Sequence, residues 1–232
     1  MHRAVVVRAA LAASALLTLA GCGGGGPSDS EVQAFQSLAL ERQAGYVTPG
    51  QCVPVTVQQY VLGVCGKAGA EEILTGAFRD AETREIIAST DPTAHNLIAT
   101  FEVHEPARGS LVGDVEVNLG VVRGDFDPAD AMRGAGDVVI FLTREASTGE
   151  WVLADGLYAV AQVDGTGRLS MPFVPSGSRS AYLTGVIDVA DVLALVVASQ
   201  YDPVQNGGNG GITDSQQDLI DKANEIANNG GG

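Results

Sequence analysis

The sequence predicts an α+β protein. Its centre is a mainly antiparallel β domain, a small barrel or a sandwich, flanked by a short N-terminal helix and a C-terminal helical pair. Three observations carry that reading. Apolar and polar residues alternate through much of residues 51–175, turn residues interrupt the alternation at short intervals, and apolar positions recur at helical spacing only before and after it. A sheet with one wetted face produces clean alternation. Short strands in succession, with no helices between them, pack as a sandwich or a small barrel.

The chain opens with "MHRAVVVR", carrying Arg3 and Arg8, and continues with the uncharged "AALAASALLTLA". A basic start, an apolar run of this length and small residues at its end have the form of a secretory signal. The run is shorter than the roughly 20 apolar residues that a bilayer span needs. It ends in Leu19, Ala20, Gly21 and Cys22. This stretch resembles the signal of bacterial lipoproteins, whose lipobox reads Leu, a small residue, Gly or Ala, then Cys. The resemblance covers residues 1–22 and implies removal of residues 1–21, a diacylglyceryl thioether on Cys22, and a fatty acyl chain such as palmitate on the new amino terminus. More than one chain gives stable anchoring. The expected location is therefore the face of a bacterial membrane, periplasmic or at the cell surface. Gly23 to Gly26 make residues 22–30 a flexible tether, since glycine restricts its backbone least.

Residues 31–50 are read as a helix and its closing turn. Ser28 and Glu31 have capping-box spacing, Val32, Phe35 and Ala39 recur at helical intervals, and "GYVTPG" supplies the turn. Cys52 and Cys65 come next, an even pair once Cys22 carries lipid. In an exported protein such a pair is most simply a disulfide. Free thiols and a metal site are the alternatives, although the pair has neither zinc-type spacing nor a neighbouring histidine. Between them "VPVTVQQYVLGV" is rich in β-branched residues and reads as two short strands.

Within the β domain, "NLIATFEVHE" sets Leu97, Ala99, Phe101 and Val103 on one face and Thr100, Glu102 and His104 on the other. "DVEVNLG" opposes Val115, Val117 and Leu119 to Asp114, Glu116 and Asn118. Two hairpins follow, one looping through Ser147, Thr148 and Gly149, the other turning at Asp164 to Gly167. Residues 176–228 are read as helical, broken by the linker "QNGGNGG". Val189, Val192, Leu193, Val196 and Val197 form one apolar face, with Asp188 and Asp191 in the first turn, where the helix dipole favours them. Leu219, Ile220, Ala223 and Ile226 form another, and residues 229–232 are a tail expected to be disordered.

The chain carries 28 acidic residues against 13 Lys and Arg, a formal charge of −15, which becomes −17 once Arg3 and Arg8 leave with the signal. A nucleic-acid partner needs a basic face, so none is expected. No G-x-S-x-G elbow, phosphate loop or dinucleotide fingerprint stands in a workable context. Two constellations bear weighing. Glu102 and His104 lie two apart on a strand and so share a face, where a neighbouring Glu116 would complete a metal- or proton-sharing set. Asp125, Asp127 and Asp130 in "RGDFDPADAMRGAGD", with Asp137 beyond them, offer hard oxygens in D-x-D spacing, but glycine and glutamate are missing from the loop positions that calcium cages use. The same segment reads as an acidic loop starting a helix, with Pro128 near its first turn.

These features lead to a membrane-anchored envelope lipoprotein without catalytic activity. Its β domain is expected to bind an envelope protein or a small ligand, and no cofactor is expected. One alternative is a calcium- or metal-dependent adhesion or structural module built on Asp125, Asp127 and Asp130. Another is a carboxylate-dependent hydrolase, for which Trp151 is the chain's one tryptophan to line a sugar subsite.

Overall fold

The computed structural model describes residues 56–63, 69–86, 89–123, 128–174 and 188–200, with positions 35, 183, 185, 186, 218 and 221–226. The signal, the tether, Cys22, the Cys52–Cys65 pair, Asp125 and Asp127 lie outside the described residues.

The elements are α1 (Val57–Leu62), β1 (Glu72–Glu85), β2 (Ala94–Arg108), β3 (Gly113–Arg123), α2 (Ala129–Arg133), β4 (Asp137–Arg144), β5 (Trp151–Leu157), β6 (Val160–Val163), β7 (Leu169–Ser170) and α3 (Val189–Gln200). The fold is α+β, with one mostly antiparallel sheet of seven strands in the order β1-β2-β3-β5-β4-β6-β7. β1 also pairs with β4, and β3 runs parallel to β5. Pairings therefore pass through β1, β2, β3, β5 and β4 and return to β1.

Strand β1 makes that return possible because it bends. Its register against β2 shifts at Ile73/Leu74, Thr75/Gly76 and Phe78/Asp80, and bulges of this kind curve a strand. Its first half pairs β4 from Glu72↔Leu142 to Ala77↔Asp137, while its second half continues along β2 alone. Gly76 sits at the bend, where a Cβ would overlap the Glu102 carbonyl oxygen and crowd the Phe101 ring.

The alternation read from the sequence holds on β2 and β3. Leu97, Ala99, Phe101, Val117 and Leu119 are buried at 0–1 % exposure, while Glu116 and His104 face outward. Phe78 meets Phe101 edge-on at 5.2 Å, and Phe173 meets Phe35 edge-on at 4.6 Å. Both expected hairpins form, with β4 pairing β5 and β6 pairing β7.

The expectation of strands between Cys52 and Cys65 is overturned. Residues 57–62 are helical, with the Thr56 hydroxyl accepting from the Gln59 amide at 3.1 Å as an N-cap. Val57, Tyr60 and Val61 are buried at helical spacing, and Tyr60 stacks on Phe141 at 5.1 Å. Packing decided against the β propensity of the valines. The helix expected to start after the acidic loop does form as α2, with Pro128 as its N-cap, so the succession of strands is interrupted by a helix there. In α3 the buried apolar positions are Val192, Ala194, Leu195 and Val196, beside the buried Asp191, so Leu195 replaces the expected Leu193 and Val197 at the centre of its face. Phe35 is helical and fully buried, and within 221–226 Ala223 and Ile226 are buried as expected. Among the described residues no helix is long and apolar enough to cross a membrane.

Candidate functional site

Strand β3 is held unequally on its two sides. Toward β2 it pairs from Ala94↔Arg123 to Val103↔Gly113, whereas toward β5 the described ladder is the single pair Asn118↔Val152. A cleft opens on each side of that pair. One, of about 410 Å³, is lined by Ile98, Leu111, Val112, Asp114, Glu116 and Trp151. The other, of about 390 Å³, is lined by Asn96, Gly120, Glu145, Thr148 and Leu153. Asn118 and Glu150 line both, so the two clefts adjoin as one groove.

Each wall is fixed by a carboxylate. The turn after β2 wraps around Glu72, which is 7 % exposed and accepts from the Ser110 amide at 2.9 Å and the Leu111 amide at 3.2 Å. Gly109 adopts φ +96°, and a Cβ there would overlap the Glu72 carboxylate. That turn presents Leu111 and Val112 as the lip. The opposite wall is the β4–β5 loop, closed by Gly149 N–H to the Glu145 carbonyl at 2.7 Å and Glu145 N–H to the Glu150 carbonyl at 2.9 Å. Just before it, Glu71 accepts from the Arg144 amide and the Thr143 hydroxyl, each at 2.9 Å, and these bonds hold its carboxyl below the usual glutamate range. The Arg144 guanidinium lies over the Trp151 ring at 4.3 Å and donates to the Gly149 carbonyl at 3.0 Å. Ile98 is 5 % exposed and forms an apolar patch of the floor.

The groove is acidic. Asp114, Glu116, Glu145 and Glu150 line it, and its lining contains no Lys, Arg or His. Glu116 is clamped by Arg84 through two bonds of 2.9 and 2.7 Å, which lower the Glu116 pKa and raise that of Arg84. Asn118 turns its side-chain oxygen to the Gly120 amide at 2.9 Å.

Of the residues singled out in the sequence, Glu116 and Trp151 line the groove and the others fall elsewhere. Glu102 and His104 do share a face, 3.5 Å apart. Their neighbours are Arg79, which pairs with Glu102, and Asp137, 3.7 Å from His104. Glu116, expected to face them, is engaged by Arg84 instead. Hydrogen bonding to Arg79 lowers the Glu102 pKa. Of the acidic loop, Asp130 is described, and its carboxylate accepts from Arg133 at 2.5 Å, with Arg133 reaching Asp80 at 3.3 Å. Among the described residues no group of three or more His, Cys, Asp or Glu is placed to hold a metal.

Sequence reasoning missed Asn96, Asn118, Glu150 and Val152 as parts of one groove. One signal was there to find: Ile98 is apolar on the polar side of the β2 alternation, between Asn96 and Thr100. In the folded chain Ile98 is buried at 5 % exposure, covered by the chain itself. No family model matches the chain, and neither a curated protein nor a solved structure does.

Proposed function

We propose that this chain is a lipid-anchored envelope protein without catalytic activity, whose β domain binds a partner or ligand in the groove along the β3–β5 seam. The observation that carries the binding role is the seam itself: one ladder pair with a cleft of about 400 Å³ on either side. A groove with fixed walls, an apolar patch and a few polar groups is the usual form of a binding site. The anchoring half rests on Leu19 to Cys22. In this reading the strand circuit closes as a small five-stranded barrel, partly open where β3 meets β5. Partly open five-stranded Greek-key barrels of the OB type take ligands across the face of strands 2 and 3 and the loop between strands 4 and 5. In this reading the groove, lined by β2, β3 and the β4–β5 loop, corresponds to part of that place. The likeness is one of architecture and suggests where a ligand sits, not which ligand.

The test has two arms. Cys22→Ser should abolish fatty-acid labelling and release the protein from membranes, and unchanged attachment would overturn the anchor. A photo-reactive residue at position 148, beside the groove, should cross-link in cells to an envelope component, while one at position 166, in the β6–β7 turn, should not. Filling the groove with Glu150→Trp should remove the cross-link at constant melting temperature. Equal cross-linking from both positions would remove the groove as the site.

A further inference from the structure

The geometry points to a basic polypeptide segment, bound in extended form along the β3 edge, as the occupant of the groove; the inference rests on the groove being the binding site. Asn118↔Val152 is the one described pair between β3 and β5, and Asp114, Val115 and Glu116 line the cleft beside the part of β3 that precedes it, where β5 has not yet begun. An extended chain satisfies such an edge by main-chain hydrogen bonds, with alternate side chains entering flanking pockets.

Charge selects the occupant. Of the four lining carboxylates Glu116 is already clamped by Arg84, which leaves Asp114, Glu145 and Glu150 to receive a cation, with the Arg144 guanidinium close by, over Trp151. A second copy of this chain, at −15, is repelled from such an edge, and so is a nucleic acid. A segment rich in Lys or Arg is attracted. Its aliphatic stems find apolar surface at Leu111 and Val112, the latter 73 % exposed, while their charged ends reach the carboxylates at the rim. A saccharide would need the face of Trp151, over which Arg144 already lies at 4.3 Å.

Trp151 is the only tryptophan in the chain, so its fluorescence reports on the groove. Full-length acylated protein in detergent is titrated at low salt with a short peptide of alternating lysine and valine. The expected result is a saturable change in Trp151 emission that weakens steeply with added salt. Asp114→Asn with Glu150→Gln should raise Kd by about tenfold at unchanged melting temperature, since close charge pairs across an interface couple measurably. The same peptide N-methylated at alternate residues keeps its charge but loses main-chain donors, and should bind at least about tenfold more weakly if the edge pairs as a strand. Equal affinity for a glutamate–valine peptide, no loss on N-methylation, or no saturable change with the lysine–valine peptide would each overturn the proposal. Saturation by a neutral chitin oligosaccharide in place of the basic peptide would overturn it while leaving the groove as the binding site. Loss of the site itself is read separately, from the cross-link at position 148.

Discussion

Along the β1–β4 seam, six consecutive pairs run from Glu72↔Leu142 to Ala77↔Asp137, while the β3–β5 seam is described by Asn118↔Val152 alone. The two seams complete one circuit of strands, yet their surroundings differ as much as their ladders do. Behind the first lie Ile73, Leu74, Ile140 and Phe141, each at 0 % exposure. Beside the second lie Asp114, Asn118, Glu145 and Glu150 among apolar residues such as Ile98, Leu111, Val112 and Leu153. A fully buried apolar seam accompanies a full ladder in one place, and mixed walls carrying carboxylates accompany an open one in the other. The difference teaches that this sheet is built unevenly: the tight seam supplies cooperative stability, and the loose one leaves a cleft lined in part by carboxylates.

The largest expected effect breaks the tight seam. Phe141→Ala removes a fully buried ring stacked on Tyr60 at 5.1 Å and should cost about 3–5 kcal/mol, read by urea denaturation. A cost below about 1 kcal/mol would mean that β4 is not the core strand described here.

Next is the lip of the groove. Gly109→Ala must change a φ of +96° or push a Cβ into the Glu72 carboxylate, and should cost about 1–3 kcal/mol. Hydrogen exchange at Ser110 and Leu111 should rise with it. An unchanged exchange pattern would detach the lip from Glu72.

Charge pairing outside the core sets the pH limbs. Glu71, Glu102 and Glu116 all have lowered pKa values, so their stabilisation is complete above the ordinary glutamate value. It is lost as pH falls through the lowered ones. Lys222 behaves oppositely. Its ion pair with Asp191 at 2.8 Å raises its pKa above the ordinary lysine value of 10.5, so its contribution is complete below that value and lost as pH rises through the raised one. Lys222→Met should flatten the alkaline limb of a melting-temperature series, and Glu71→Gln should soften the acidic limb. A series in which neither variant changes the slope would show that these pairs do not couple to folding.

Smallest is the effect of the loose seam on stability. Glu150→Gln should move the unfolding free energy by no more than about 0.5 kcal/mol; a larger loss would show that the groove wall is structural. Calcium sharpens the same contrast, since the alternative adhesion module rests on Asp125, Asp127 and Asp130. The melting temperature should be equal in calcium and in sodium chloride of matched ionic strength. A rise with calcium alone, abolished by Asp125→Asn with Asp127→Asn, would promote the metal module.

Much of the sheet was legible because alternation is a local property. Leu97, Ala99 and Phe101 announce a buried face, and the turn residues at 147–149 and 164–167 announce the hairpins. The helix α1 was not legible, because its β-branched valines favour a strand and the partner that overrides them, Phe141, stands far along the chain. The groove was hidden for a related reason. Asn96 and Asn118 read as ordinary polar positions until β2, β3 and the β4–β5 loop are set side by side.

By itself the sequence determined the acidic surface, the alternation of the central strands and the lipobox-like stretch at Leu19 to Cys22, since each depends on neighbouring residues or on composition. The tertiary structure decided which strands meet. It bent β1 at its bulges until it reached β4, brought β5 to β3 at one pair, and thereby left a groove where a continuous ladder was equally compatible with the pattern. Strand partners are chosen by long-range packing, and alternation within one strand specifies which face is buried without specifying against what.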